Sequence, residues 1–243
     1  MNRPTAEQRE TARQTLHSAR SLLRQRWSNL LFLHWTVDRD AIQATLPQGL
    51  YADTFAGTSW LGLSAYAVSE AHVTGLPALG RLSHYLGLNV TTCVFDENGM
   101  PGLWFYSLDL NQTLAAWISR QLFALPARHA PIQAERREPA AQTLRSGADT
   151  YRWQTDDSPG QIASRGSLEI FLLERYHYYV EKSGRLHRGS VARSPFLWSK
   201  VHVEELSTAP AARAGFADLS ATPQHACTVD PADVRILGLP QAV

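Results

Sequence analysis

The sequence predicts one mostly β domain with a few inserted helices. Three observations carry this. Strand signals, alternating side chains enriched in Val, Thr, Trp, Phe and Tyr, recur over 26–37, 60–68, 86–95 and 102–110. Helical periodicity is confined to 5–26, 112–125 and 167–175. No internal repeat and no long linker divides the 243 residues, a length that suits one large domain or two small ones. The expected organisation is an N-terminal amphipathic helix over 1–26 followed by a single β domain over 27–243.

Each element has a local reason. Ala12, Leu16, Ala19, Leu22 and Leu23 keep a helical period from Thr5 to Arg26, with Glu7 and Glu10 early and Arg20, Arg24 and Arg26 late, as the helix dipole favours. The strand over 26–37 places Leu31, Leu33, Trp35 and Val37 on one face and Phe32, His34 and Thr36 on the other. Asp38 caps a short helix that Pro47 and Gly49 end. The turn Asp96-Glu97-Asn98-Gly99 joins two strand runs into a hairpin. Leu114, Trp117, Ile118, Leu122 and Leu125 then recur at helical intervals until Pro126. Three short strands are expected over 130–136, 142–145 and 151–154. A helix over 167–175 follows, capped by Ser167 and with Glu169 in its first turn. Extended segments over 176–180, 186–191 and 200–206 surround a turn at Lys182-Ser183-Gly184, and the Ala/Pro-rich 208–214 reads as an exposed loop.

Composition narrows the partners. A formal charge of +1, from 23 Lys and Arg against 22 Asp and Glu, with no basic stripe interleaved with aromatics, argues against nucleic acid. Residues 1–27 lack the apolar core of a signal peptide. The apolar runs at 30–35 and 103–108 fall far short of the ~20 residues of a membrane helix. Cys93 and Cys227 are distant and unpaired in pattern, so a reducing cytoplasm is the expected compartment. A small-molecule ligand is the expected partner, and a homodimer through the N-terminal helix or an edge strand is the alternative.

The catalytic signatures are mostly missing: no G-x-S-x-G elbow, P-loop, G-x-G-x-x-G or H-E-x-x-H occurs. The nine histidines all stand far from one another in sequence, so no local metal site is legible and neither metal nor cofactor is expected. Three polar sets on apolar strands remain: His34 with Thr36; Asn89 with Thr91 and Cys93; and Ser107 with Asp109, which alternation places on the face of Leu103 and Phe105. Lining a barrel interior, such faces supply the few polar groups that a small-molecule pocket needs. For Asp109, capping the following helix is the competing reading. Glu169, Glu174 and Arg175 sit among large apolar residues, where unpaired charges cost several kcal/mol, so they are expected to be paired, in a structural network or at a pocket.

At these residues the chain resembles a known family. Trp27, Leu31-Phe32-Leu33-His34-Trp35-Thr36-Val37, Leu46-Pro47-Gln48-Gly49-Leu50, Gly57-Thr58-Ser59-Trp60-Leu61-Gly62-Leu63, Asn89-Val90, Gly99 to Asp109, Ser167-Leu168-Glu169 and Glu174-Arg175-Tyr176 resemble, in this order, the YqjF-like family of uncharacterised conserved bacterial proteins. The resemblance spans about 27–206. It implies the acetoacetate-decarboxylase-like superfamily, hence a curved, mostly antiparallel sheet closing into a barrel-like cavity with a few outer helices.

Acetoacetate decarboxylase works through a Schiff-base lysine beside a second cation. The segment that resembles its lysine element is Phe123-Ala124-Leu125-Pro126-Ala127-Arg128-His129-Ala130, with Ala127 at the nucleophile position and Arg128 beside it. A guanidinium stays protonated and is no amine nucleophile. The chain has only two lysines, Lys182 and Lys200, and Lys200 is the better placed to reach an interior. The resemblance also exposes departures: Thr91-Thr92-Cys93 stand where relatives carry Arg-Thr-Tyr, and Ala127 where they carry Tyr, so a remodelled or larger pocket is expected. The leading expectation is therefore a barrel that binds a small organic acid or ketone-like molecule without a Schiff base, through His34, Asn89, Ser107, Arg128, Glu169 and Arg175. The alternatives are a lyase, hydrolase or isomerase using Glu169, Glu174 or His34 as acid or base, and a structural or protein-interaction role.

Overall fold

The run at 30–35 is apolar apart from His34 because both faces of its strand, β1 (Leu23–Val37), are covered there, with Leu30, Leu31, Leu33, His34 and Trp35 buried. The computed structural model describes residues 4–5, 8, 16, 19–136, 141–156 and 159–243. Half of the helix expected over 5–26 lies outside them; of its C-terminal part, 19–22 are not helical and 23–26 belong to β1. There follow α1 (Arg39–Gln43), β2 (Leu50–Ala52), β3 (Ser59–Val73), β4 (Tyr85–Asp96), β5 (Pro101–Leu110) and α2 (Thr113–Gln121). Next come β6 (Ala127–His129), β7 (Ile132–Arg136), β8 (Ala141–Ser146), β9 (Asp149–Thr155), β10 (Gln161–Ile162) and α3 (Leu168–Leu173). The chain ends with β11 (His177–Lys182), β12 (Arg185–Ala192), β13 (Leu197–Glu205), α4 (Ala209–Arg213), β14 (His225–Val229), β15 (Ala232–Ile236) and β16 (Gln241–Ala242).

Seven strands close a barrel in the order β1, β3, β4, β5, β11, β12 and β15, with β15 returning to β1. All neighbours are antiparallel except β5 and β11. Closure depends on β1 changing partners along its length. Leu23–Trp27 pair with β15, whereas Leu30–His34 pair with β14. The register shift between Ser28 and Leu31, with Asn29 at φ 52°, marks the change. From β14 the sheet runs on through β13, β9, β8 and β7. This extension covers the outside of the barrel, where Leu144, Tyr151 and Trp153 pack against Leu31, Leu33, Trp35, Leu63 and Leu88. The odd positions of β1 from Leu31 thus face this outer core and its even positions face the barrel interior.

Local chemistry fixes many of the boundaries. The Asp38 carboxylate accepts from the N–H groups of Asp40 and Ala41, and the Ser167 hydroxyl from that of Ile170. In the β4–β5 turn Asp96 accepts from the Asn98 and Met100 N–H groups while Gly99 takes φ 76°. Two expectations need correction. The stretch over 208–214 holds helix α4, because proline is tolerated in a first helical turn and Ala211 is fully buried with Ile42 and Phe216. Helix α2 stops at Gln121, before the predicted end at 125, as Ala124 adopts φ 52° and the Leu125 N–H turns back to the Ser119 carbonyl. No helix among the described residues is long and apolar enough to cross a membrane.

Candidate functional site

The barrel encloses a cavity of about 490 Å³, within the roughly 300–1,000 Å³ of small-molecule sites. Its wall is built in layers by the strand registers. Gly62 of β3 pairs with His34 on one side and Thr91 on the other, and Ser64 pairs with Phe32 and Asn89. All six line the cavity. The first of these layers is closely packed at Gly62, where a Cβ would lie 3.1 Å from the His34 ring. Cys93, one layer deeper on β4, also lines the cavity, so the family departures at Thr91 and Cys93 both fall on its wall.

The deep end is organised by Arg175, which leaves α3 with its side chain only 1% exposed. Its Nε donates to the Phe171 carbonyl at 2.7 Å and Nη1 to the Asp53 carboxylate at 2.8 Å, while the guanidinium stacks 4.4 Å from the Phe171 ring centroid. Nη2 has no hydrogen-bond partner among the described residues. The same holds for two further buried atoms of wall residues, Trp60 Nε1 and Asn89 Oδ1. Buried polar groups are normally paired, and each orphan costs about 1–3 kcal/mol. Nearer the mouth the polar groups satisfy one another: Trp27 Nε1 donates to Gln25 Oε1 at 2.7 Å and Gln25 Nε2 to the Tyr85 hydroxyl at 2.9 Å. Burial pushes the Tyr66 and Tyr85 phenols up in pKa, so both stay protonated.

His34 supplies the other polar feature. Its Nδ1 lies 3.0 Å from Nδ1 of His225 on β14, so one ring donates and the other accepts. Burial holds both imidazoles below the usual histidine pKa, with the like charge of His225 adding to the effect on His34 and the carboxylate of Glu169 opposing it on His225. The pair is therefore neutral near pH 7, and His225 Nε2 is buried without a partner among the described residues.

Of the six ligand-binding expectations, His34, Asn89 and Arg175 meet on the cavity wall; Ser107, Arg128 and Glu169 do not line it. A bulge in β5 explains Ser107. Val90 pairs with Ser107 but Thr91 with Phe105, leaving Tyr106 as an extra residue that reverses the alternation. Leu103 and Phe105 face the cavity before the bulge, and Leu108 and Leu110 after it. Asp109 points the other way, where Arg128 grips it through Nε and Nη2 at 2.5 and 2.9 Å; it does not cap α2, a role taken by Gln112. Arg128 itself is half exposed. Glu169 lies in the first turn of α3 on the side of His225 and Cys227. Glu174 is bound by Arg193, the Tyr176 hydroxyl and the Phe196 N–H. Ala127 is buried against Leu108 and Leu110, and both lysines are exposed, Lys200 included, so neither reaches the interior.

Sequence reasoning missed Trp60, Arg193 and His225 as site residues. Trp60 was visible as a strand former and as part of the family resemblance, and His225 belongs to β14, whose five residues are too short to stand out.

A family model for an uncharacterised conserved protein, DUF2071, matches residues 24–232. The uncharacterised protein YqjF of Bacillus subtilis (strain 168) is 28% identical over 189 residues, covering 75% of this chain and 77% of that one. Among solved structures, an acetoacetate decarboxylase-like enzyme from Sphingomonas wittichii RW1 matches with a TM-score of 0.62 at 14% identity, covering 92% of this chain and 94% of the other. The enduracididine biosynthesis enzyme MppR complexed with pyruvate matches with a TM-score of 0.61 at 12% identity, covering 93% and 91%.

Proposed function

This chain belongs to the DUF2071 family of uncharacterised conserved proteins, and from that premise we propose that it binds a small organic acid or ketone-like molecule in the barrel cavity, with a carbonyl oxygen accepting from Arg175. The observation that carries this reading is a cavity lined by three residues that each hold a buried polar atom with no partner among the described residues: two donors, Arg175 Nη2 and Trp60 Nε1, and one acceptor, Asn89 Oδ1. Asp53 already balances the charge of Arg175. The ligand therefore has to supply an oxygen acceptor more than a counter-charge. MppR, on the same fold, is described in complex with pyruvate, a keto acid. Schiff-base chemistry is not part of the proposal, because both lysines lie exposed outside the cavity.

Trp60→Phe tests the reading, since it removes one donor and keeps most of the ring. Titration calorimetry with pyruvate and with matched methyl ketones should show affinity lower by roughly two- to tenfold, the worth of one neutral hydrogen bond. Stability of the empty protein should stay within about 1 kcal/mol, because the lost packing is offset by removal of an orphan donor. Equal affinity of the two proteins for every carbonyl compound that binds would remove Trp60 from the site, and no binding by either would end the proposal.

A second reading, proton transfer, is favoured by the His34–His225 pair. A neutral His34 facing the cavity, held by His225 with Glu169 beyond it, is placed to take and return a proton at a carbon next to a ligand carbonyl. The signature is deuterium entering a bound ketone in heavy water, lost in His34→Gln but kept in Glu174→Gln. Equal exchange in all three proteins would assign the pair to structure alone.

A further inference from the structure

The cavity wall is mainly apolar, with the buried guanidinium of Arg175 at one end. On β4 the wall residues Tyr85, Asn89, Thr91 and Cys93 step from the mouth to the Arg175 end. At ~3.3 Å per residue this is about 26 Å of strand, or roughly 20 Å along the axis of a barrel whose strands tilt by ~40°. A molecule the size of pyruvate fills only the end of such a space. At the mouth, Val73, Leu76, Leu79, Leu82 and Leu114 are 43, 61, 66, 53 and 40% exposed, and all five belong to the wall of the same cavity. Singly exposed leucines are ordinary, but five apolar side chains around one opening, continuous with an apolar interior, mark a path for an apolar group.

We propose that the ligand class is an elongated aliphatic carbonyl compound, a long-chain acid or ketone, inserted head first. The inference rests on the reading of Arg175 given above. Its head accepts from the buried, unpartnered Arg175 Nη2, and its tail follows the layers of Phe32 and Leu108 towards the leucine rim. Acid and ketone share the one feature the deep end requires, an oxygen acceptor, because Asp53 already neutralises Arg175. Nearer the mouth the Gln25, Trp27 and Tyr85 side chains bond to one another, so a hydrocarbon passing these three does not break their hydrogen bonds.

The test is a titration of the full chain, followed by tryptophan fluorescence because Trp27 and Trp60 line the cavity. The ligands are straight-chain acids from butyric to palmitic, the matching methyl ketones and the matching alkyltrimethylammonium ions, all below their micelle concentrations. Affinity for acids or ketones should rise by up to roughly fourfold per added methylene along the series. Short compounds binding as tightly as long ones would overturn the tail and leave the carbonyl reading standing. Alkyltrimethylammonium ions binding as tightly as the carbonyl compounds would do the reverse. Leu79→Ser with Leu82→Ser, both at exposed positions, should weaken long ligands several-fold and leave short ones unchanged. Unchanged palmitate affinity, with a dimer in sedimentation that the double variant dissociates, would assign the rim to a second copy and overturn the inference.

Discussion

Replacing Arg193 by leucine lowers the stability of the fold by about 3–5 kcal/mol, the cost of breaking a buried ion pair from one side. The guanidinium of Arg193, 2% exposed, lies 3.3 and 3.4 Å from the two carboxylate oxygens of Glu174. It also donates to the Leu173 carbonyl at 2.6 Å and the Ser194 carbonyl at 3.0 Å, and stacks 3.4 Å from the Phe196 ring centroid. Leucine restores apolar volume but takes the guanidinium from the buried Glu174 carboxyl group, which keeps, among the described residues, the Tyr176 hydroxyl and the Phe196 N–H. Adding Glu174→Gln should recover part of the loss, because the orphaned charge and not the missing packing dominates. Urea unfolding of the two single variants and the double variant closes the cycle. A loss below about 1 kcal/mol for Arg193→Leu would show that this corner is solvated on demand and is not a lock between α3 and β12.

Acidification from pH 6.5 destabilises the protein, by roughly 3 kcal/mol from His177 alone once the pH has passed 4. Burial, reinforced by Arg188 and opposed by Asp96, lowers the pKa of His177 from 6.5 to about 4. The folded state therefore keeps this ring neutral where the unfolded chain protonates it. Below pH 6.5 the unfolded state binds more protons, so stability is full above that value and falls as the pH drops towards 4. His34 and His225 are lowered by burial in the same direction and add to the slope. Urea unfolding at stepped pH values measures it, and His177→Asn should flatten the curve. Stability that is level between pH 6.5 and 4.5 would mean that these rings gain protons without opening the barrel.

Where a short stretch of chain decides a feature, the sequence was a sufficient guide. The β4–β5 hairpin follows from its Asp-Glu-Asn-Gly turn, α1 and α3 from Asp38 and Ser167, and the two faces of β1 from simple alternation. Strands β14 and β15 were not expected, although His225–Val229 and Ala232–Ile236 carry β-branched residues, because five-residue runs give little period to detect. Yet β15 is the strand that closes the barrel.

The sequence by itself determined that arginine dominates the basic residues, 21 against two lysines, and so that amine nucleophiles are scarce. Only the tertiary structure decided which arginine matters. Arg175 is carried into the cavity by the end of α3 and the carboxylate of Asp53, 122 positions away in the chain. Arg128 is turned outward with Asp109, because a single extra residue in β5 reverses the faces of the strand. Alternation and capping act over a few residues and can be read in order. A bulge or a ring closure depends on which distant strand lies alongside, and that is settled by packing over the whole barrel.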